Sequence, residues 1–327
     1  MVSIKDVAKL AGVSPATVSR VINNTARVDE EKKARVDKAI KEMGYKPNEL
    51  ARALYRKSSH IIGVIVPNIE NPFFNELARA VEHEAFLRGY RIMLCNSDDN
   101  TEKEKRNIDM LMQLNADGLI IMTNSEETHK RVENCSLPTV ALDRVEISGA
   151  IANVEADHYT GGRMACAHLY DCGCRKIVCM KGPEMFSSGQ KRYRGYSAVC
   201  REKGIPECVI ESDFTYASGL QAAEDILQTF PDVDGIMASN DMAALALVKA
   251  LTRKGYRVPE DVQVMGFDNI SFCQIFSPEL STVMQPISAM GKRAVEILAD
   301  NKEGKPFEVD NVFDVQLIPR ETTRRKI

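Results

Sequence analysis

The sequence predicts a three-helix helix-turn-helix head, a short hinge helix and a two-lobed α/β body with parallel sheets. Three observations carry this. Residues 1–45 hold three closely spaced helical patterns, and from Ile61 onward strand-like apolar runs alternate with helical spans to the end. The charge divides at the same place: residues 1–60 hold 13 Lys and Arg against 7 Asp and Glu, a net of +6, and the remainder 30 against 39, a net of −9. A basic head on an acidic body points to a polyanionic partner for the head alone.

In the head, Ile4, Val7, Ala8 and Ala11 recur at helical spacing and Gly12 breaks the pattern. Ser14 suits an N-cap and Pro15 the first position of a second helix, with Val18, Val21 and Ile22 as its buried stripe. Asp29 caps a third helix, Glu30 and Glu31 favour its positive end, Val36, Ala39, Ile40 and Met43 face inward, and Gly44 stops it. Two short helices around a glycine turn make a helix-turn-helix, whose second helix meets base edges in the major groove with its N-terminal residues. Those are Pro15, Ala16 and Thr17, with Arg20 one turn on. Arg20 can pair bidentately with guanine, whereas Pro15 and Ala16 offer shape and methyl contact. Ser14, Ser19, Asn23 and Arg27 suit phosphates, which position the head without reading sequence. From pattern alone, the alternative is a small protein-binding module with a solvated basic face.

Residues 46–57 form the link. Pro47 is tolerated in a first helical turn, Leu50 and Leu54 share one face, and Arg52 and Arg56 repel each other on another. Isolated helices shorter than roughly 12 residues are marginal in water, so this one needs something to fold against.

In the body, strand patterns fall at 61–66, 91–95, 119–122, 139–142 and 151–154, then, after Gly161-Gly162, at 176–180, 209–212, 235–238 and 262–266. Two such series mean two α/β lobes, and ligands bind such sheets at the carboxyl ends of their strands. The segment 312–317 is expected to return across the lobes as a last strand. Polar and aromatic residues gather just after the strands: Asn71, Phe73 and Phe74, then Asp143 and Arg144, then Asn240, then Asp268, with Arg192, Phe214 and Gln285 in comparable loops or helix starts. A monosaccharide presents vicinal hydroxyls, which suit planar Asp, Asn and Arg groups, and apolar C–H faces, which suit aromatic rings. Singly each has a plainer explanation: Asn71 as an N-cap, the phenylalanines as core, Asp143 and Arg144 as a surface ion pair.

The 327 residues are 44% hydrophobic and 27% charged, ample for a soluble protein of two or three compact units. Neither a secretory core near the start nor an apolar run of about 18 residues occurs, so the expected location is the cytoplasm and no membrane partner is expected. The nine cysteines are then read as reduced thiols. The cluster Cys166, His168, Cys172, Cys174 and Cys179 lacks the paired spacings of a zinc site and is read as small buried hydrophobes, with no metal expected. The sequence contains no phosphate-binding Gly-x-x-x-x-Gly-Lys-Ser/Thr loop, no Gly-x-Gly-x-x-Gly after a strand and no His-Glu-x-x-His, and the Asp98–Asp99 pair reads as a solvated loop, so no enzyme is expected.

The run Ile4-Lys-Asp-Val-Ala-Lys-Leu-Ala-Gly-Val-Ser-Pro-Ala-Thr-Val-Ser-Arg-Val-Ile-Asn23 resembles the N-terminal signature of the lactose/galactose repressor family of bacterial transcription regulators. Pro47-Asn48-x-x-Ala51-Arg52-x-Leu54 resembles that family's hinge helix. The resemblance implies a hinge that folds only on operator DNA, with Leu54 wedged into the minor groove at the operator centre, where apolar insertion kinks the duplex. The body is similar to type I periplasmic sugar-binding proteins. Asn71, Phe73, Phe74, Asp143, Arg144, Arg192, Phe214, Asn240, Asp268 and Gln285 match sugar-contacting positions of the ribose-binding protein, and the chain as a whole resembles the family's ribose operon repressors.

Taken over this chain, the resemblance implies a DNA-binding unit at 1–45, a hinge at 46–59 and an effector-binding and dimerisation unit at 60–327. Its first lobe would span about 60–158 and 288–314, its second about 159–287 and 315–327. It further implies a homodimer on a pseudo-palindromic operator and D-ribose as inducing effector, with no cofactor. Cys174 stands where many members have histidine, Tyr55 and Arg56 follow Leu54 where relatives vary, and no leucine heptad follows Arg320, which favours a dimer over a tetramer. Two alternatives remain open: a catabolite-control regulator driven by a phosphoprotein or sugar-phosphate co-effector, and, in another class, a cytoplasmic sugar-binding or sugar-processing protein.

Overall fold

The computed structural model describes residues 2–23, 26–45, 58–143 and 147–324; the hinge expected at 46–57, with Leu54, and Arg144, expected to contact the sugar, lie outside the described residues. The chain divides into two compact units between Ser59 and His60.

In the head, α1 (Ile4–Ala11) starts in a reciprocal cap: the Ser3 amide donates to Asp6 Oδ2 at 2.8 Å and the Asp6 amide to Ser3 Oγ at 3.4 Å. Gly12, at φ 63°, takes the left-handed conformation that ends it. Helix α2 (Pro15–Asn23) begins as the sequence predicts, with Ser14 Oγ accepting from the Thr17 amide at 3.2 Å. Helix α3 (Glu30–Met43) is capped by Asp29 and closed by Gly44. Val7, Val18 and Val36, one from each helix, are fully buried at the centre, with Ala8, Ala11 and Ala39 around them. At roughly 2 kcal/mol per buried valine, so small a core makes each of them indispensable.

The body contains two sheets. The first comprises β1 (Ile61–Val66), β2 (Arg91–Asn96), β3 (Gly118–Ile121), β4 (Thr139–Leu142), β5 (Ala152–Ala156) and β11 (Asp310–Phe313), in the order β11-β5-β4-β3-β1-β2 and parallel throughout. The second comprises β6 (Ile177–Lys181), β7 (Cys208–Glu211), β8 (Gly235–Met237), β9 (Gln263–Asp268), β10 (Ser281–Met284) and β12 (Gln316–Ile318), in the order β12-β10-β9-β8-β6-β7, with only β12 antiparallel. Strands β3 and β4 are buried at every position, as parallel strands covered on both faces must be. Winding reverses between β1 and β3 and again between β6 and β8, and in open parallel sheets ligands bind beyond the strand ends at such a reversal.

Helices cover both sheets. In the first lobe α4 (Pro72–Leu87) packs on α11 (Ile287–Glu303), and α5 (Thr101–Gln113) on α6 (Glu126–Glu133). In the second α7 (His158–Asp171) packs on α8 (Ser187–Lys203), and α9 (Tyr216–Thr229) on α10 (Asp241–Arg253). The chain passes between lobes after β5, after β10 and between β11 and β12.

Two strand expectations need correction. The last strand expected at 312–317 is two strands, β11 and β12, one in each sheet. Strand β10 was not anticipated, because Ser281 and Thr282 look like loop residues; both are fully buried, with Thr282 Oγ1 donating to Asp241 Oδ1 at 2.6 Å. Cys166, Cys174 and Cys179 lie in the second-lobe core, and Cys172 and His168 are buried as well. Burial pushes the Cys174 thiol up to about 12, which keeps it protonated. Among the described residues no helix is long and apolar enough to cross a membrane.

Candidate functional site

On the head, Pro15, Ala16 and Arg20 are exposed on α2 while Val18 turns inward, so the helix offers the edge expected to face DNA. Ser14 is exposed, and its hydroxyl lies 2.9 Å from that of half-buried Thr17. Asn23 donates to Ser19 Oγ at 3.2 Å, tying together two side chains expected to take phosphates. Arg27 is exposed just before α3.

In the body, a cavity of about 420 Å³ opens beyond the carboxyl ends of the strands. The first lobe lines it with Asn71, Phe73, Phe74 and Asp143, and the second with Arg192, Phe214, Asn240 and Asp268. Residues scattered over nearly 200 positions of sequence thus share one wall-to-wall space. Gln285 is the exception. It is not on the cavity wall; buried at 2% exposure, it donates Nε2 to Asp268 Oδ1 at 2.8 Å, so it holds a wall residue from behind.

Local chemistry fixes each group. Asn71 caps α4, its Oδ1 accepting from the Phe73 amide at 3.1 Å, so the plain N-cap explanation and the cavity position are both true of it. Phe73 and Phe74 stand edge to face with centroids 5.2 Å apart. Asn240 spends both ends of its amide: Oδ1 caps α10 from the Ala243 amide at 2.9 Å and Nδ2 donates to the Phe214 carbonyl at 3.0 Å. Asp143 (φ 65°), Phe214 (φ 67°) and Asp268 (φ 121°) all hold left-handed backbone, strain of order 1–3 kcal/mol each that concentrates at binding sites.

Arg192 is 6% exposed and anchored on several sides. Its Nη1 donates to the Ser239 carbonyl at 2.7 Å, its Nε to His158 Nδ1 at 3.3 Å, and its guanidinium stacks 3.7 Å over the Phe267 ring. Gly162 makes this possible: a Cβ there would lie 2.1 Å from the Arg192 carbonyl oxygen, so only glycine lets α7 and α8 approach this closely. Gly182 likewise clears room for the Phe214 ring, 2.3 Å from where its Cβ would stand.

Burial drives the Asp268 carboxyl well above the usual carboxylate range; Arg192 opposes this, while the neighbouring Asp241 and Asp143 add to it. The fully buried His158 is held well below its ordinary value by desolvation first and by Arg192 and Lys191 next, so the ring is neutral.

Sequence reasoning missed part of the wall: Asn68, Glu70, Asp99, Phe186, Asp213 and Tyr216 also line it. All sit in post-strand loops or, for Tyr216, at the helix start that follows one, which was the available signal. Asp99, read as solvated, faces the cavity, whereas its neighbour Asp98 pairs with Lys103. Among the described lining residues, Glu70, Asp99, Asp143, Asp213 and Asp268 face a single cation, Arg192.

Comparison with known proteins agrees with both parts. The lacI family of bacterial regulatory proteins matches residues 3–48, and a periplasmic binding protein-like domain matches residues 166–323. A ribose operon repressor from Halalkalibacterium halodurans is 40% identical over 325 residues, which is 99% of this chain and 98% of that one. The chain belongs to the lacI family. Among solved structures, a lacI-type regulator from Alkaliphilus metalliredigens complexed with D-xylulofuranose is 36% identical, covering 81% of this chain and 100% of its own at a TM-score of 0.74. The lac repressor dimer bound to operator and an anti-inducer is 27% identical over 98% of both chains, with a TM-score of 0.88. A lacI-family regulator from Enterococcus faecium with bound ribose is 27% identical, covers 80% of this chain and 98% of its own, and has a TM-score of 0.73. The fold class expected from the sequence is that of the lacI family, and the full-length relatives named above, a ribose operon repressor and the lac repressor, are transcriptional repressors and not enzymes.

Proposed function

We propose that this lacI-family repressor binds D-ribose in the cleft and releases operator DNA in response. One observation carries the reading: Asp143 from one lobe and Arg192 and Asp268 from the other face the same space between the rings of Phe73, Phe74 and Phe214. Planar hydrogen-bonding groups around apolar faces are what a small polyol requires. Arg144, outside the described residues, belongs to the same proposed set. The excess of carboxylates on the wall favours a neutral sugar over a sugar phosphate, whose charge they would repel. The ribose operon repressor relative and the ribose-bound Enterococcus faecium regulator support ribose in particular.

The head acts through Pro15, Ala16, Thr17 and Arg20 on bases and through Ser14, Ser19, Asn23 and Arg27 on phosphates. A homodimer, as in the operator-bound lac repressor structure, presents two heads to a pseudo-palindromic site. Sugar closes the cleft, shifts the first lobes of the dimer and prevents the hinge segments from folding together on DNA. It can do so only by binding the two states with different affinity.

The complex with D-xylulofuranose favours one rival, a different pentose as effector. Calorimetry against ribose, xylulose and ribose 5-phosphate discriminates: ribose binding tightest supports the reading. No heat from any free sugar favours a regulator driven by a phosphoprotein.

A further inference from the structure

The crossing from β5 into α7 carries a side chain that the cleft chemistry has not used. His158, the first residue of α7, is fully buried. Its Nδ1 accepts from Arg192 Nε at 3.3 Å, which puts its own proton on Nε2. Nε2 is buried and has no partner at hydrogen-bonding distance among the described residues; it faces Asp143, whose backbone favours its protonation and whose Oδ1 stands 3.8 Å away, about 1 Å beyond bonding reach. The ring leans on Phe267 with centroids 5.8 Å apart, and Phe267 is also the platform under the Arg192 guanidinium. One neutral ring thus touches the arginine of the second lobe and looks across the lobe boundary at the aspartate of the first.

We propose that His158 is a positioning residue that couples Asp143 to Arg192, its Nε2–H closing onto the Asp143 carboxylate when a sugar draws the lobes together. The inference rests on the sugar reading of the cleft. Its placement at a crossing suits the task, since residues near a pivot move little and a 3.8 Å separation needs only a small one. An N–H closing on Asp143 Oδ1 adds a donor of fixed direction to whatever already holds that carboxylate, which favours one orientation of its other oxygen toward a ligand hydroxyl. The same ring, by accepting from Arg192 Nε, fixes the fork of the arginine. Because the ring is held neutral by burial and by Arg192 and Lys191, it serves as donor and acceptor at once.

The test compares full-length wild type with His158→Gln and His158→Phe. Glutamine offers a carbonyl to Arg192 and an amide to Asp143; phenylalanine keeps the ring on Phe267 but loses both bonds. Ribose affinity is read by calorimetry, melting with and without ribose by scanning, and the ring by nitrogen NMR of histidine-labelled wild type. The Phe variant should bind ribose about tenfold more weakly, the Gln variant within about threefold of wild type, and the Nε2–H signal should move downfield on adding ribose. Ribose affinity unchanged in the Phe variant overturns the proposal, as does equal loss in both variants with a matching fall in the sugar-free midpoint, which marks a packing role. A static Nε2–H signal also overturns it. If the Phe variant does not fold, the Gln variant and the NMR signal decide. Wild type that binds no sugar fails the underlying reading first and this proposal with it; wild type that binds ribose while the variants match it fails this proposal alone.

Discussion

Arg192 stands between an anion and a ring: its Nη2 lies 3.4 Å from Asp268 Oδ1 while its guanidinium carbon sits 3.7 Å above the centre of Phe267. Both members of the ion pair are nearly inaccessible, with side chains 7% and 5% exposed. A pair so buried contributes little net stability but is costly to break, because either partner left behind is an uncompensated charge.

Arg192→Lys keeps the charge and loses the fork and the stacking. Ribose affinity should fall between about tenfold and a hundredfold, the range expected for charge-assisted hydrogen bonds lost in a dry site. Calorimetry measures it, and affinity within a factor of two of wild type would show that Arg192 only supports the wall. In Arg192→Ala the stranded Asp268 should cost about 3 kcal/mol in urea unfolding.

Gly162→Ala introduces a methyl group where the Arg192 carbonyl oxygen already lies. Helices α7 and α8 must then separate, at a cost of roughly 1–3 kcal/mol, and Arg192 moves with α8. The variant should melt lower and bind ribose less tightly. Wild-type melting and binding would mean that the backbone gives way without disturbing the site.

Asp241 sets a pH dependence of stability. Its Oδ1 accepts from Thr282 Oγ1 at 2.6 Å and its Oδ2 from the Ile270 amide at 2.9 Å, yet burial outweighs these bonds and lifts the carboxyl from 3.8 to about 6. Between those values the folded protein keeps a proton that the unfolded chain has released. The group's contribution is therefore complete below the unfolded value and is lost as pH rises to about 6, a change of about 3 kcal/mol. The urea-unfolding free energy of wild type minus that of Asp241→Asn should fall by about 2 kcal/mol from about pH 4, where the unfolded chain still holds part of its proton, to about pH 6.5 and level off above. A difference that is flat or rises across this window refutes the assignment.

Arg20 is exposed on the edge of α2 and its backbone position is secured by buried Val18. Arg20→Ala should cost about 1–3 kcal/mol against operator and nearly nothing against random duplex, narrowing the ratio between the two. Equal losses on both would make Arg20 a phosphate contact.

Much of this was legible in the sequence, and the misses share a cause. Helix caps at Ser14, Asp29 and Gly44, the central valines of the head and the apolar strands of both sheets follow from local pattern, and the structure has them. Post-strand loops converge, and Asn71, Phe73, Phe74, Asp143, Arg192, Phe214, Asn240 and Asp268 of the expected set line one cavity, with Arg144 outside the described residues. What local pattern could not carry was polarity satisfied at long range. Strand β10 hid because the partners of Ser281 and Thr282 are Thr322, Thr323 and Asp241, some 40 positions away. Gln285 has the composition of a ligand group, yet its Nε2 is engaged by Asp268 and it sits behind the wall rather than on it. His158 carries no signal in the local pattern, and only the tertiary fold brings it to Arg192.

The central claim is that a sugar in the cleft governs a contact made by the head. Fluorescence anisotropy of labelled operator DNA, titrated with the full-length protein in the absence and presence of saturating ribose at one salt concentration, tests it directly. Ribose should weaken the complex by about 5- to 150-fold, the span of typical coupling energies. Operator affinity that is unchanged by ribose, or strengthened by it, would contradict the account.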